Sequence, residues 1–449
     1  MIVMKFGGSS VANAKRIRHV AEIVKPRLDL KPVLVLSAMG DTTDLLLETA
    51  EEACSRGTFS IKEIEKLHLK ALDELGITAC QNEVPDLIAE MERLLSGISL
   101  IRELTPRTRD YLVSFGERLS VRITAAYFNS ININARAYDA WDLGFISNPN
   151  YGFAELLDDS WEKIPEKILP LADKNELPVI TGFIAKETNG TITTLGRGGS
   201  DLSAAMIAAA CKAEEVQFWK DVDGILTADP GLVKNARPVE MITYEAAAEL
   251  AYFGAQVLHP RAMQPCMKTG TPVVVKNSYN PDAPGTHILS SLGKKQRSIQ
   301  AISCKKNITL VDIVSSRMLG QYGFLAEVFS CFARHSLSVD MVATSEVSVS
   351  LTLDAARDLA ALKKELSKIA SVEIKTGKAI ITIVGDVSRS SEILARSFRT
   401  CELLGVPVQM ISQGASKLNI SFIVNDSEAP DLIRALHEDF FESVTGGGL

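Results

Sequence analysis

The sequence predicts an α/β fold, a parallel-rich sheet sandwiched between helices, followed by two small α+β modules. Three observations carry this. Short apolar runs alternate with amphipathic or Ala-rich stretches over the first two thirds of the chain. A Pro-, Gly-, Ser- and Lys-bearing stretch then breaks the pattern, and beyond it the chain repeats itself.

In chain order, Ile2–Phe6, Val33–Ser37, Val179–Ile184, Val216–Trp219 and Pro272–Lys276 are short, mostly apolar and bounded by Gly, Pro or Asp. Such runs suit strands buried on both faces. Ala12–Val24, Ser203–Ala213 and Tyr244–Phe253 read as helices between them. This alternation places ligands at the C-terminal ends of the strands. Thr58–Glu103 is charged and helical without a clear strand, an excursion beside the sheet. Asn277–Ser298 has linker chemistry. After it, Phe324–Asp354 and Ile393–Asn425 match at a constant offset: Phe329 with Phe398, Val339 with Val408, Met341 with Met410, Leu353 with Phe422. Each copy reads strand, helix, strand, turn, strand, then a second helix, Ala356–Ala370 or Ala429–Phe440. That is a βαββαβ sandwich present twice. The expected division is 1–295, 296–375 and 376–449, with interdigitation of the two copies left open.

With 449 residues, 46% of them hydrophobic and 23% charged, the chain is neither disordered nor collagen-like. A net charge of -7 argues against a nucleic-acid or anionic-membrane partner. The seven cysteines are scattered and contain no C-x-x-C, so a reducing compartment is expected, with no disulfide framework and no zinc site. No apolar run approaches the roughly 18 residues of a membrane span. The opening MIVMKFGGSS reads as a strand rather than a signal peptide, and a cytoplasmic location is expected.

Two Gly-rich segments carry chemistry. KFGGSS (Lys5–Ser10) lies between the first strand and first helix. There backbone N–H groups can approach phosphate oxygens, and Lys5 brings a positive charge. On its own the segment is equally a tight turn. It is not a Walker loop, and the chain has no G-x-G-x-x-G. GRGGSD (Gly196–Asp201) opens a later helix. Arg197 can hold a carboxylate bidentately, and Asp201 can orient Lys5 or a metal. SFGERLS places Glu117 just inside a helix, where a carboxylate suits an ammonium or simply the first turn. SAMGDTTDLL offers Thr42 and Thr43 at a helix start, and WKDVDGILTADP carries Asp221, Asp223 and Asp229, acids that suit either a metal-nucleotide or a turn.

KFGGSS, SFGERLS, TLGRGGSD, WKDVDGILTADP and FGAQVLHP (Phe253–Pro260), in this order and followed by a doubled module, resemble the aspartate kinases of the amino-acid-kinase superfamily. The C-terminal copies resemble ACT domains. MLGQYGFLAEVF with SVDMVATSEVSVSLTLD resembles the lysine-sensitive, monofunctional kind, and MISQGASKLNISFIVN is similar to plant-type sequences. The resemblance implies an amino-acid-kinase-type sheet sandwich with two ACT modules. It implies phosphorylation of the L-aspartate β-carboxylate by ATP, with Mg2+ between the phosphates and no metal site built from protein side chains. Lys5 and Asp201 would be catalytic. Thr43, Glu117, Phe183, Arg197, Gly198, Gly199 and Ser200 would bind aspartate. Lys5, Gly7, Gly8, Ser9, Lys220, Asp221, Leu226, Asp229 and Gln256 would hold the nucleotide. Where this chain has Lys220, Leu226, Gly231 and Gln256, some relatives have Thr, Tyr, Arg and Lys. The resemblance also implies a homodimer or homotetramer assembled through the ACT modules.

For control, the helix start at Gly323–Leu325 offers free N–H groups to a carboxylate. Asp340, on a neighbouring strand, suits an ammonium, whereas the second copy has Gln409 at the matching position. L-lysine is therefore expected in the first copy, near Met318, Gly323, Phe324, Leu325, Ser338, Asp340, Ser345 and Glu346.

Overall fold

The computed structural model describes residues 1–78, 83–254, 257–292, 299–318, 322–354, 359–386, 389–413 and 418–442. They form two compact units. The first takes in Met1–Ile225, Glu240–Tyr244 and Val257–Leu292; the second takes in Leu226–Val239, Glu245–Gln256 and Gly293–Leu449.

The first unit begins with β1 (Ile2–Phe6), α1 (Ala14–Val24), β2 (Pro32–Leu36) and α2 (Thr42–Arg56). The helical excursion follows as α3 (Lys62–Leu75) and α4 (Glu83–Ile101), leading into the long α5 (Pro106–Ser130). Then come β3 (Ala135–Tyr138), β4 (Ile146–Ser147), α6 (Asp159–Asp173), β5 (Leu177–Thr181), β6 (Ile184–Glu187) and β7 (Ile192–Thr194). α7 (Gly199–Ala210), β8 (Glu215–Lys220), β9 (Met241–Thr243), α8 (Tyr244–Tyr252), α9 (Pro260–Thr269), β10 (Val273–Asn277) and β11 (Thr286–Leu289) complete the list, although α8 belongs to the second unit from Glu245 on.

The main sheet has the order β3-β5-β2-β1-β8-β10-β11-β9, and every pairing is parallel except β10 with β11. β1, β2 and β5 are buried along their whole length. Alternation sends Ile2, Met4 and Phe6 into one core with Leu34, Leu36 and Val179, packed by residues of α1 to α5. α6 and α7 pack on the sheet as well, so both faces are covered. Lys5 lies on the opposite face of β1 from Phe6 and meets α7.

The second unit is one antiparallel six-stranded sheet. β12 (Ile299–Val314), α10 (Phe324–Arg334), β13 (Val342–Thr344), β14 (Ser348–Asp354) and α11 (Ala360–Leu366) lead to β15 (Ser371–Gly385). α12 (Ser390–Leu404), β16 (Met410–Gln413), β17 (Asn419–Asn425) and α13 (Ala429–His437) follow. The strand order is β13-β14-β12-β15-β17-β16. The far half of β12 pairs with β14 and the near half of β15; the near half of β12, Ile299–Lys305, pairs with the far half of β15. Hence the near half of β12 closes the second copy. Ile302 shares a core with Ile381, Phe422 and Leu432, while Val311 shares one with Val328, Leu351 and Leu362. Both long strands serve both copies, and the expected boundary after residue 375 falls inside β15.

Several local expectations are corrected. Asn277–Ser298 is not all linker: Thr286–Leu289 pairs with β10 on one side and β9 on the other, and its apolar Ile288 is buried. Residues 293–298 lie outside the described residues. The run Val179–Ile184 is broken at Gly182–Phe183, where Phe183 has φ 69°, and β6 starts beyond the break. The first helix starts later than Ala12: Gly8–Val11 is a short 3-10 turn, and α1 begins at Ala14 under an Asn13 side-chain cap. α7 starts at Gly199, earlier than Ser203, so Ser200 and Asp201 stand in its first turn.

Candidate active site

The C-terminal ends of β1, β2, β5 and β8 converge, as expected for a parallel sheet. β1 and β8 are neighbours, so Lys5 and Lys220 reach the same place from adjacent strand ends. α7 brings Asp201 between them. Lys5 Nζ lies 2.7 Å from Asp201 Oδ1, and Lys220 Nζ lies 2.7 Å from Asp201 Oδ2. Lys5 and Asp201 are each 5% exposed. Burial pushes the Lys5 ammonium below the ordinary lysine range, against the pull of Asp201. Burial would raise Asp201, but the two lysines overrule it and hold its carboxyl down at about 2. One carboxylate therefore faces two ammonium groups, and a surplus positive charge remains for an anion.

Glu117 comes from α5. It stands mid-helix rather than in a first turn, so the helix-dipole reading does not apply to it. Gly116 has a packing reason: a Cβ there would lie 2.7 Å from the Ala38 Cβ, so only glycine lets α5 approach the loop after β2. Glu117 Oε1 then accepts the N–H of Ala38 at 3.2 Å. Its Oε2 is buried with no hydrogen-bond partner among the described residues. Burial raises this carboxyl to about 8. An unpartnered, buried carboxylate oxygen fits an incoming ammonium.

Lys5, Asp201 and Glu117 border one cavity of about 580 Å3. Of the expected substrate residues, Thr43, Glu117, Phe183, Arg197, Gly198, Gly199 and Ser200 all line it, together with Lys5 and Asp201. Thr43 stands in the first turn of α2. Arg197 is exposed on the loop before α7. Sequence reasoning missed Asp110 and Arg109, which also line the cavity. Asp110 is 2% exposed and accepts hydrogen bonds from Gly152 N, Thr194 N and Thr194 Oγ1. Its position two helical turns before Glu117 was the available signal.

The expected nucleotide residues divide. Gly8 lines the cavity, where a Cβ would come within 2.9 Å of the Ala38 carbonyl and 3.0 Å of the Gly40 carbonyl. Gly7 lies beside the Lys5 ammonium, and Ser9 is exposed on the same turn. Lys220 joins through Asp201, and Asp221 is exposed beside it. Leu226 and Asp229 fall in the second unit, where Asp229 Oδ1 accepts the N–H of Gly231. Asp223 is engaged by the amides of Asn277 and Asn280. A local turn thus takes up Asp229 and two distant amides take up Asp223, and no cluster of three metal-ligating side chains occurs among the described residues. Gln256 lies outside the described residues. The bare glycine approach and the surplus ammonium charge fit a nucleotide's phosphates.

In the second unit Gly323, with φ 90°, precedes α10, which starts at Phe324. Phe324 is buried, Leu325 is exposed, and Met318 packs partly buried on the first-copy core. Ser345 shapes the β13–β14 turn with Ser348, and Glu346 is exposed. Ser338 and Asp340 precede β13 rather than lying in a strand, because regular pairing begins only at Val342. Both Asp340 oxygens are occupied: Tyr252 donates to Oδ1 at 2.5 Å, and Lys305 Nζ lies 2.8 Å from Oδ2.

Known proteins share this fold. The amino acid kinase family model matches residues 1–277, and the ACT domain model matches 311–364 and 381–440. The chain is 49% identical to aspartokinase 1, chloroplastic, of Arabidopsis thaliana, over 98% of this chain and 80% of that protein. The crystal structure of E. coli aspartokinase III in complex with aspartate and ADP (R-state) superposes with a TM-score of 0.84 at 34% identity, covering 98% of this chain and 100% of that one. The same enzyme in complex with lysine and aspartate (T-state) gives 0.79 at the same identity and coverage. No helix among the described residues is long and apolar enough to cross a membrane. The chain therefore belongs to the amino acid kinase family, and within it to the aspartokinases, the kinases that phosphorylate aspartate.

Proposed function

We propose that Lys5, Lys220 and Asp201 form the transfer site at which the γ-phosphoryl group of ATP passes to the β-carboxylate of L-aspartate. The observation that supports this most is the buried carboxylate shared by two ammonium groups at adjoining strand ends. A carboxylate oxygen of aspartate forms the new bond to phosphorus while the bond to the ADP oxygen breaks, giving 4-phospho-L-aspartate and ADP. The attacking oxygen is already anionic, so no general base is needed; positioning and charge neutralisation carry the step. Lys5 and Lys220 meet the negative charge on the phosphoryl oxygens, and Asp201 holds both in place. Gly7, Gly8 and Ser9 lie where phosphates would be cradled. Mg2+ would enter with the phosphates and neutralise them, which needs no protein cage.

Glu117 takes the substrate ammonium through its unpartnered oxygen, and Arg197 takes a substrate carboxylate with its planar fork. Thr43, Phe183 and Gly198–Ser200 shape the remaining wall. For location we propose a reducing, aqueous compartment, the cytoplasm or an organelle stroma; all six described cysteines are free.

The second unit is proposed to bind L-lysine at the first copy, in keeping with the lysine complex of the E. coli enzyme. An effector ammonium arriving at Asp340 would have to exchange with Lys305 and Tyr252. The outer strands β13 and β16 are each hydrogen-bonded to one neighbour and bear exposed Val342 and Ile411, which suits homo-oligomer formation through these modules.

Steady-state kinetics test the transfer site. Lys5→Ala should lower kcat by at least about a thousandfold, whereas Arg197→Ala should chiefly raise KM for aspartate. A Lys5→Ala enzyme of near-parent turnover would remove the assignment, and equal shifts in both Michaelis constants would remove that of Arg197.

Glu117 gives a pH signature. Its folded pKa of about 8 stands above the ordinary 4.5, so the free protein holds a proton that the unfolded chain releases between those values. That contribution to stability is full below pH 4.5 and is lost as pH rises through about 8. Glu117→Gln should flatten the slope by about one proton, or about 1.4 kcal/mol per pH unit. Aspartate binding near pH 7 should release about one proton in the parent and none in the variant, read by calorimetry in buffers of different ionisation enthalpy.

Asp340→Ala should raise the lysine concentration for half-inhibition by at least about tenfold. Unchanged inhibition, with unchanged lysine binding by calorimetry, would place the effector elsewhere.

A further inference from the structure

Asp110 takes no part in the transfer chemistry described above, yet it is a buried carboxylate on the wall of the substrate cavity. All of its bonding capacity is directed at two other segments. Oδ2 accepts the N–H of Gly152 at 2.9 Å and of Thr194 at 2.8 Å, and Oδ1 accepts the Thr194 hydroxyl at 2.8 Å. Ala154 N donates in turn to the Thr194 carbonyl at 2.8 Å, so the 152–154 and 194 segments are tied to each other as well as to α5. The Phe153 ring lies over Gly196, where a Cβ would meet Phe153 Cδ2 at 2.6 Å, and the Arg261 guanidinium stacks over that ring at 4.1 Å. Arg261 also donates to the Leu195 and Ala154 carbonyls, each at 2.8 Å. The residue after Gly196 is Arg197.

We infer that Asp110 is a positioning residue that fixes the Arg197 loop at a set distance from Glu117, and thereby sets the length of the dicarboxylic amino acid the site accepts. The inference rests on the proposed roles of Glu117 and Arg197. Both ends of the measurement begin on one rigid element: Glu117 and Asp110 lie on α5 two turns apart and so face the same side. If Glu117 holds the ammonium and Arg197 a carboxylate, their separation decides where the reacting carboxylate falls relative to Lys5. A substrate longer by one methylene then presents its reacting oxygen out of place. A displacement of about 1 Å in such a site costs on the order of a hundredfold in rate, which adds to the roughly 10- to 200-fold that contact with one methylene discriminates. Selection of aspartate over glutamate therefore needs the loop to be held rigidly. A carboxylate does this with three acceptor bonds on two segments. An asparagine could keep both N–H bonds on its oxygen and offer its amide to the Thr194 hydroxyl, so the bonds matter here and the charge does not.

The test uses the full chain with Asp110→Ala, Asp110→Asn, Thr194→Val and Thr194→Ser, assayed with aspartate, glutamate and ATP. Asp110→Ala should raise KM for aspartate by at least about tenfold, and Thr194→Val by about threefold, with KM for ATP within about twofold of the parent. In both, the aspartate-to-glutamate ratio of kcat/KM should fall by at least about threefold. Asp110→Asn and Thr194→Ser should stay near the parent in every constant. Should Asp110→Ala fail to fold, the Thr194 pair carries the decision, because it removes or keeps a single hydroxyl. An equal rise in both Michaelis constants, an unchanged ratio, or an asparagine variant as impaired as alanine would overturn the inference. Arg197→Ala separates the two layers. If it raises KM for aspartate while the Thr194→Val and Asp110→Ala enzymes do not, only the positioning role falls. If it leaves that constant unchanged, the proposed substrate clamp falls and the positioning role with it.

Discussion

Two ammonium groups share one carboxylate where water barely reaches, and much of the first unit serves to make that arrangement tolerable. Removing ions from water costs several kcal/mol each unless their partners are held in good geometry. Lys5 and Lys220 obtain that geometry by standing at the ends of adjacent parallel strands, and Asp201 by standing in the first turn of a helix laid against them. α7 can come so close because most of its residues are Gly, Ser or Ala, and it is buried along nearly its whole length, from Gly199 to Ala209. A helix of larger residues would hold the carboxylate too far away. The imbalance of two positive charges to one negative is an unfavourable feature of the free protein that a phosphate would relieve. A site built in this way binds anions because its own charges are incompletely neutralised.

Glu117 reverses the sign of the argument at the other end of the cavity. Backbone N–H groups and the charge of Lys5 favour its ionised form, but burial outweighs them and leaves it near pKa 8. A substrate ammonium would supply the missing partner and draw the carboxyl into its charged form. The two ends are thus complementary to a zwitterionic acid with a phosphoryl donor, and neither end is electrostatically satisfied alone. The rigid scaffold keeps both dissatisfied groups in place, since a mobile lysine or glutamate would turn to solvent.

Much of this was legible in the sequence because strand ends and Gly-rich loops announce themselves. Lys5, Arg197 and Asp201 sit in short segments bounded by glycines and placed by strand–helix alternation. Thr43 was legible for the same reason, at the start of a helix after a strand. Glu117 was found, but for a helical position it does not occupy: the glycine before it reads as a helix start and in fact serves close packing on Ala38. Asp110 was passed over: its one signal was its place two turns before Glu117, and its partners lie 42 and 84 residues away. The acids of the WKDVDGILTADP loop read two ways, because a local pattern does not separate a nucleotide contact from a turn. Aspartate is common in turns because it bonds its own backbone, and Asp229 does that with Gly231. Nor could local patterning show that Leu226–Val239 folds with the second unit, where Ala228 and Val233 join the core of Ile302, Phe422 and Leu432.

The doubled module raises a further point about what a repeat in sequence means in space. The matching positions from Phe329 to Leu353 and from Phe398 to Phe422 do form two equivalent halves, yet neither half is a contiguous piece of chain. Each needs one half of β12 and one half of β15, and the pairing register of those strands slips between Lys305 and Leu310. Lys305 stands at that slip and is also the ammonium that occupies Asp340 and Asp354. In a ladder of backbone hydrogen bonds, a strand cannot shift in one half without altering its pairing in the other. The two copies are therefore coupled by their backbone before any side chain is considered. Lys305, which meets Asp340, sits at one of the places along β12 where the ladder is already irregular, and where less pairing has to be broken for the strand to move.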